Sequence, residues 1–301
     1  MKKIWNYLKE YYSTLDKRAF LSSVLLIALF IFFNYYNGLS NTISTFPGIK
    51  KFFCWYVIFL TAFALGYIVQ AIFTRKQYFS NKRFLFLLLI VPAIFAWKMM
   101  YHFSITVTAN HLQNAYWNAV LYYPFKLIVV AITLFILWRL SDKQASFYGV
   151  TFKNFNARPY ALMLLIMIPL IAAASTQHDF LNVYPKLNTI AYLKTANSVW
   201  YKLLYELAYG SDFFTIELFF RGFLILAFIK FAGKGAILPM AMFYCTIHFG
   251  KPLGECISSF FGGIILGVVT YHTRTIFGGL IVHLGIAWMM ELGGYLGHHF
   301  F

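Results

Sequence analysis

Apolar residues form long, nearly uninterrupted runs along almost the whole chain, separated by short polar stretches. Many of these runs approach the length of about 20 residues that an α-helix needs to cross a hydrocarbon core of about 30 Å. They lie at roughly 19–37, 52–73, 84–101, 118–140, 159–176, 198–230, 235–249, 254–272 and 276–293. The pattern predicts an all-α fold, a polytopic membrane helical bundle with eight or nine transmembrane helices.

The composition excludes an ordinary cytosolic protein. Of the 301 residues, 61% are hydrophobic and only 11% are charged, whereas about 25% of the residues of a typical soluble domain are charged. A formal net charge of +16 would suggest a nucleic-acid partner for a soluble domain, but here most Lys and Arg residues flank the apolar runs. We therefore expect membrane lipids with anionic headgroups as their partner, and no nucleic acid.

The first 18 residues are basic and aromatic and lack the apolar region of a cleaved signal peptide. We interpret residues 1–18 as an interfacial basic segment and residues 19–301 as a single membrane domain. Lys and Arg are concentrated in the first segment and in the loops at 74–83 and 139–158, while the loop at 102–116 has none. The positive-inside rule therefore predicts a cytoplasmic N-terminus.

Ionisable residues inside the apolar runs are concentrated in the last third of the chain. Such groups are costly in hydrocarbon, so each suggests a functional site. The acids there are Glu206, Asp212, Glu217, Glu255 and Glu291, and the histidines are His248, His272 and His283. The first two thirds are therefore interpreted as a scaffold, and the last third as the part that carries the function.

Three of these residues, Glu217, His248 and His283, are predicted to meet Arg221 in one polar cavity. Glu217 and Arg221 are spaced i,i+4 on a helix, which alone is also typical of a neutralised ion pair. His248 ends an apolar run, and His283 lies in the middle of one, where a lone histidine is most often a satisfied core residue. Separately, each group would be left unpaired in the bilayer, so convergence is favoured.

A glutamate beside two imidazoles can activate water for hydrolysis, directly or through a bound metal. A divalent metal such as zinc, if present, would be held by Glu217, His248 and His283. Because these residues come from separate predicted helices, only tertiary packing could assemble the site.

Three short motifs in this region resemble those of one family. Residues 216–224, IELFFRGFL, are similar to its first motif, E-E-x-x-x-R-G, and residues 244–248, YCTIH, to its second, F-x-x-x-H. Residues 283–287, HLGIA, resemble the third, H-x-x-x-N or D. These motifs mark the CPBP family, also called Abi, which includes the type II CAAX prenyl endopeptidases and bacteriocin-processing proteins. The resemblance covers roughly residues 150–295, interpreted as the catalytic core.

The resemblance implies an all-helical intramembrane peptidase with its site between helices. In that pattern the first Glu and the second-motif His, here His248, activate water, while the second Glu, here Glu217, pairs with Arg221. The third-motif His, here His283, and the Asn or Asp after it hold the oxyanion.

This chain departs from the pattern at two positions. Ile216 stands at the position of the first Glu, and Ala287 at that of the Asn or Asp. Loss of a general base typically costs 10²–10⁴-fold in rate. Either Glu217 or Glu255 could then serve as the base, the latter if the Gly-Lys-Pro turn after His248 returns it to the site.

Two functions from different classes remain open at this stage. The leading hypothesis is a variant CPBP intramembrane protease, a hydrolase acting on a membrane-embedded or membrane-proximal peptide in the bacterial cytoplasmic membrane. The alternative is a catalytically silent relative that binds or stabilises a membrane or envelope protein. A transporter would also use buried acids and broken helices, but no internal repeat supports one.

Overall fold

The described part of the chain is mostly helical. The computed structural model describes residues 2–142, 146–153, 155–193 and 199–300, and no β-strand occurs among them. The α-helices are α1 (Lys2–Thr14), α2 (Lys17–Asn37), α3 (Leu39–Ser44), α4 (Gly48–Thr74), α5 (Lys82–Met100), α6 (His111–Leu137), α7 (Arg158–Ala174), α8 (His178–Leu181), α9 (Val199–Ile216), α10 (Ile229–Ala232), α11 (Ile237–Thr246), α12 (Leu253–Thr273) and α13 (Phe277–Phe300). A π-helix follows α9 directly (Glu217–Ala227), a second follows α6 (Trp138–Asp142), and short 3₁₀ helices occupy Tyr78–Ser80, Lys186–Ile190 and Gly233–Ala236.

Within the described ranges, six helices are long and apolar enough to cross a membrane. They are Lys17–Asn37, Gly48–Thr74, Lys82–Met100, His111–Leu140, Leu253–Thr273 and Phe277–Phe300. A seventh span is reached if Arg158–Ala174 and His178–Ile190, which meet at a bend of 100°, count as one. The prediction of a polytopic all-α membrane protein is confirmed, whereas eight or nine transmembrane helices are not.

Two of the nine predicted segments account for the difference between nine spans and seven. The run at 198–230 is not a single α-helix, because α9 is followed by the π-helix at Glu217. In addition, α9 contains three charged residues, Lys202, Glu206 and Asp212. The run at 235–249 contains only the ten-residue α11. At about 1.5 Å per residue, α11 is too short to cross the hydrocarbon core alone.

The chain forms two compact units, each built from three sequence segments. The first comprises residues 1–101, 148–154 and 220–275, and the second comprises residues 102–147, 155–219 and 276–301. Each unit is defined by the contacts among its own residues. The single membrane domain at 19–301 stays a prediction.

Aromatic packing organises the first unit around α4. Phe59 and Phe63 on this helix contact Phe243 of α11, with ring centroids 4.9 and 5.7 Å apart. Gly66 lies so close to Pro239 that an added Cβ would overlap its backbone. These contacts fix α11, and with it the turn that contains His248.

The N-terminal segment folds back on the same unit. Helix α1 packs against α12, with Ile4 and Tyr11 buried. Tyr7 stacks on His272 at a centroid distance of 4.2 Å. The segment is therefore ordered against the protein, while its interfacial position stays a prediction.

In the second unit, α13 packs against α7 and α9, and glycines allow the close approach to α7. An added Cβ at Gly278 would overlap the ring of Tyr160, and one at Gly285 would meet Leu164. Farther along α13, the Glu291 carboxylate accepts hydrogen bonds from the backbone N–H groups of Lys186 and Leu187, at 2.8 and 3.1 Å. These contacts fix both the position and the rotation of α13, which carries His283.

Candidate active site

The first motif lies in an unusual backbone element, the eleven-residue π-helix Glu217–Ala227. A π-helix closes its backbone hydrogen bonds between residues five apart, is rare, and is frequently found at functional sites. Glu217 and Arg221 are both fully buried in it. The sequence prediction assumed α-helical rotation between these two residues, and that assumption is wrong here because the helix is wider.

Glu217 is hydrogen-bonded to the third-motif histidine. Its Oε1 lies 2.8 Å from His283 Nδ1, with the carboxylate fully buried and the imidazole 15% exposed. An ionised carboxylate can only accept in this bond, so His283 donates from Nδ1, and Nε2 is the ring nitrogen that can gain or lose a proton. Two of the predicted site residues are thus brought together as a carboxylate–imidazole pair.

Gly279 provides the space that the Glu217 carboxylate occupies. It lies one helical turn before His283 on α13, and a Cβ built there would overlap Glu217 Oε2. One carboxylate oxygen therefore faces His283 and the other lies against the glycine backbone. Sequence reasoning missed this residue, although a glycine four positions before a mid-span histidine was a signal for it.

Phe213 packs on the ring of His283 from α9, at a centroid distance of 5.5 Å. Phe213 lies four residues before Glu217, and both side chains contact the His283 imidazole. Ile216, at the position of the family's first Glu, is the last residue of α9 and is buried. No carboxylate is therefore available from that position.

In the first unit, Tyr244 contacts both Arg221 and His248. The guanidinium carbon of Arg221 lies 4.1 Å from the centre of the Tyr244 ring. The same ring meets the His248 imidazole edge-on at 4.7 Å. A cation over an aromatic face is stabilised by the ring quadrupole, most strongly when both are desolvated.

His248 is oriented by the backbone of α11. Its Nδ1 lies 2.9 Å from the carbonyl oxygen of Tyr244. Because a carbonyl only accepts, His248 donates from Nδ1, and Nε2 is the ring nitrogen that can gain or lose a proton.

Glu255 and the cysteines lie near this turn. Glu255 is in the first turn of α12, and its carboxylate is 3.7 Å from Lys251 Nζ, with both side chains partly exposed. Its return to the site stays a prediction. Cys245 and Cys256 are buried with their sulfurs 3.9 Å apart, while Cys54 is only partly buried.

Ala287, at the position of the family's Asn or Asp, belongs to an apolar cluster of the second unit. It is 4% exposed and packs with buried residues that include Tyr205, Ala208 and Tyr209. A polar side chain at this position would replace packed apolar contacts.

A metal held by Glu217, His248 and His283 stays a conditional prediction of the sequence. Among the residues that the structure describes, no group of three or more His, Cys, Asp or Glu side chains is placed to hold a metal ion. The reaction proposed below uses only side chains of this chain and a water molecule. The convergence of Glu217, Arg221, His248 and His283 in one cavity stays a prediction.

Comparison with known proteins points to the same region. The model of a family described as "Type II CAAX prenyl endopeptidase Rce1-like" matches residues 197–289, the segment that contains all three motifs. Neither the curated proteins nor the solved structures gave a match. The match to residues 197–289 confirms the resemblance drawn from the motifs and is consistent with the CPBP family.

Proposed function

We propose that this protein is a variant CPBP intramembrane protease that hydrolyses a peptide bond of a membrane-embedded or membrane-proximal substrate. The observation that carries the proposal is the buried Glu217–His283 hydrogen bond of 2.8 Å. It lies inside the segment that matches the endopeptidase family model. A carboxylate that orients an imidazole is a recurrent arrangement for activating a nucleophile in hydrolases.

In the proposed reaction, His283 is the general base. Its Nε2 takes a proton from a water molecule as the water attacks the scissile carbonyl, and the proton then passes to the leaving amine. Glu217 holds the imidazole in the required tautomer and stabilises the imidazolium that forms. Glu217 is therefore a positioning residue here, which differs from the direct role that the resemblance gives to the family's first Glu.

We add Arg221 and His248 to the proposed site because they occupy positions of the first and second motifs that the family resemblance implies are functional. With Nδ1 bonded to the Tyr244 carbonyl, His248 in its protonated form would donate from Nε2 to the developing oxyanion. Arg221 would supply positive charge to the same region. Glu255 is retained as the second candidate carboxylate, to be separated from Glu217 by mutation.

We place the protein in the bacterial cytoplasmic membrane with its N-terminus in the cytoplasm. The six apolar helices support a membrane protein, and the basic loops support this orientation. Its partners would be membrane lipids and a peptide or membrane-protein substrate.

A silent relative that binds or stabilises a membrane or envelope protein is the second candidate. It is favoured by the apolar residues at two polar motif positions, the buried Ile216 and the packed Ala287. In that case the Glu217–His283 pair would be retained only as a buried polar contact.

Mass spectrometry of newly formed peptide termini distinguishes the two functions. Purified protein in liposomes is incubated with membrane proteins from a strain that lacks it. We expect new termini with the wild type, their loss in His283→Ala, and a decrease of about 10²–10⁴-fold in Glu217→Gln. His111→Ala, at an exposed position that begins α6, is the matched control and should leave cleavage unchanged.

Wild-type protein without any cleavage, or cleavage that persists in His283→Ala, would overturn the protease. A Glu255→Gln variant is tested in parallel. If its cleavage is lost while that of Glu217→Gln is retained, the carboxylate role moves to Glu255.

A further inference from the structure

The first unit contains a cavity of about 270 Å³ that is lined by none of the motif residues. Its walls come from α1, the segment after α4, the turn between α10 and α11, and the last residues of α12. Four separate parts of the chain thus meet around one space, and the proposed protease mechanism uses none of them.

Tyr11 is one of the residues that line this cavity, and its hydroxyl is buried. Its side chain is 6% exposed, and its Oη has no hydrogen-bond partner among the described residues. Burial raises the pKa of the Tyr11 hydroxyl, so the group stays protonated and can donate. A buried donor without a partner is unfavourable, which points to an acceptor supplied from outside the chain.

The charge of the walls indicates that this acceptor is an anion. Lys76 and Lys234 both line the cavity, and His272 adds a further titratable donor. Glu10 is the one acidic residue among the residues that line it, so the lysines leave a positive excess. Arg75 and Arg274 directly follow the ends of α4 and α12 and add to it.

The position of the cavity relates the anion to the membrane. Helices α4 and α12, both long and apolar enough to cross the bilayer, end beside it. The ends of transmembrane helices lie at the depth of lipid headgroups, where Lys and Arg attract anionic lipids. A phosphate on a lipid would reach this cavity without leaving the membrane interface.

We propose that this cavity binds the phosphate of an anionic phospholipid headgroup. The Tyr11 hydroxyl donates to a phosphate oxygen, and Lys76 and Lys234 neutralise the charge. The bound lipid would then link α1 to the ends of α4 and α12. This proposal is independent of the protease function, because it involves none of the motif residues.

Calorimetric titration of the full-length protein in nonionic detergent tests the site. The probes are phosphatidylglycerol and phosphatidylcholine with eight-carbon chains, and inorganic phosphate. We expect phosphatidylglycerol to bind at least tenfold more tightly than phosphatidylcholine. Lys76→Gln and Lys234→Gln should each weaken it by about fivefold, the effect of one basic residue near a charged membrane surface. Lys50→Gln, at the start of α4, is the matched control and should not change it.

A tyrosine pair provides a second measurement. Tyr11→Phe should weaken phosphatidylglycerol binding by about tenfold, whereas Tyr12→Phe, at the exposed neighbouring position, should not. In the absence of anionic lipid, Tyr11→Phe should unfold at the same or a higher temperature than the wild type, because it removes a buried hydroxyl without a partner.

Three results would overturn the proposal. They are equal affinity for the two lipids, lysine variants that behave like Lys50→Gln, and inorganic phosphate that binds as tightly as phosphatidylglycerol. The last result would assign the cavity to a soluble anion.

Discussion

Gly279 offers the most direct test of the site geometry. Gly279→Ala places a methyl group where Glu217 Oε2 lies. The carboxylate has little room to withdraw, because Glu217 is fully buried. The substitution must therefore either overpack the site or break the 2.8 Å hydrogen bond between Glu217 and His283.

Both outcomes cost stability by comparable amounts. Overpacking typically costs about 1–3 kcal/mol. Loss of a hydrogen bond to a charged group costs about 1.5–3 kcal/mol. Alanine gains at most about 1 kcal/mol over glycine from helix propensity. We therefore expect Gly279→Ala to lower the free energy of unfolding by about 1–2 kcal/mol.

The measurement combines denaturant unfolding in detergent with NMR of ¹⁵N-labelled histidine, which reports the proton on His283 Nδ1. Gly262→Ala on α12 is the matched control, because an added Cβ there meets no atom within 4 Å. Its stability should be unchanged or slightly raised. The control separates the contact with the carboxylate from the general effect of alanine in a helix.

A second substitution tests the steric argument itself. Aspartate is one methylene shorter than glutamate, so Glu217→Asp in the Gly279→Ala background should relieve the overlap and recover part of the lost stability. If Gly279→Ala proves as stable as Gly262→Ala and keeps the His283 signal of the wild type, the role given to Gly279 is refuted.

Three further variants test other contacts by thermal or denaturant unfolding. Ala287→Asn should lower the free energy of unfolding by about 1–3 kcal/mol, because its amide would enter an apolar cluster, and unchanged stability would contradict that packing. Glu291→Gln should lower the free energy of unfolding by about 1–3 kcal/mol and speed proteolysis around Lys186, because the uncharged amide has one oxygen where the carboxylate accepts from two backbone N–H groups. Unchanged protease resistance would contradict this role of Glu291. Tyr244→Phe should be nearly neutral while Tyr244→Leu loses about 1–2 kcal/mol by removing the ring below Arg221, and similar stabilities would exclude the cation–π contact.

The sequence predicted the membrane class and the identity of the polar residues well. Long apolar runs report helices that cross a bilayer with little dependence on tertiary structure. The rarity of ionisable groups in such runs likewise singled out Glu217 and His283. Their contact in the second unit follows from the requirement that a buried charge be satisfied.

The same patterns failed where local backbone geometry or close packing decided the outcome. Periodicity assumes one helix type, so it could not show that α9 becomes a π-helix at Glu217. The pairing of Glu217 with Arg221 stays a prediction of the motif spacing, and the hydrogen bond from His283 to Glu217 depends on how α13 packs. The contact of the Glu217 carboxylate with Gly279 depends on the same packing, and a hydropathy pattern contains no information about that contact.

The two ends of α12 distinguish the two faces of the membrane. Its 21 residues correspond to about 30 Å, the thickness of the hydrocarbon core. One end leads to Arg274 and the lysine-lined cavity, and the other joins the turn that follows His248. If the cationic end faces the cytoplasm, as the positive-inside rule predicts, His248 lies toward the opposite leaflet. If the proposed protease function holds, a polypeptide reaching His248 would then approach from the extracytoplasmic side, and exported or envelope proteins would be the first substrates to test.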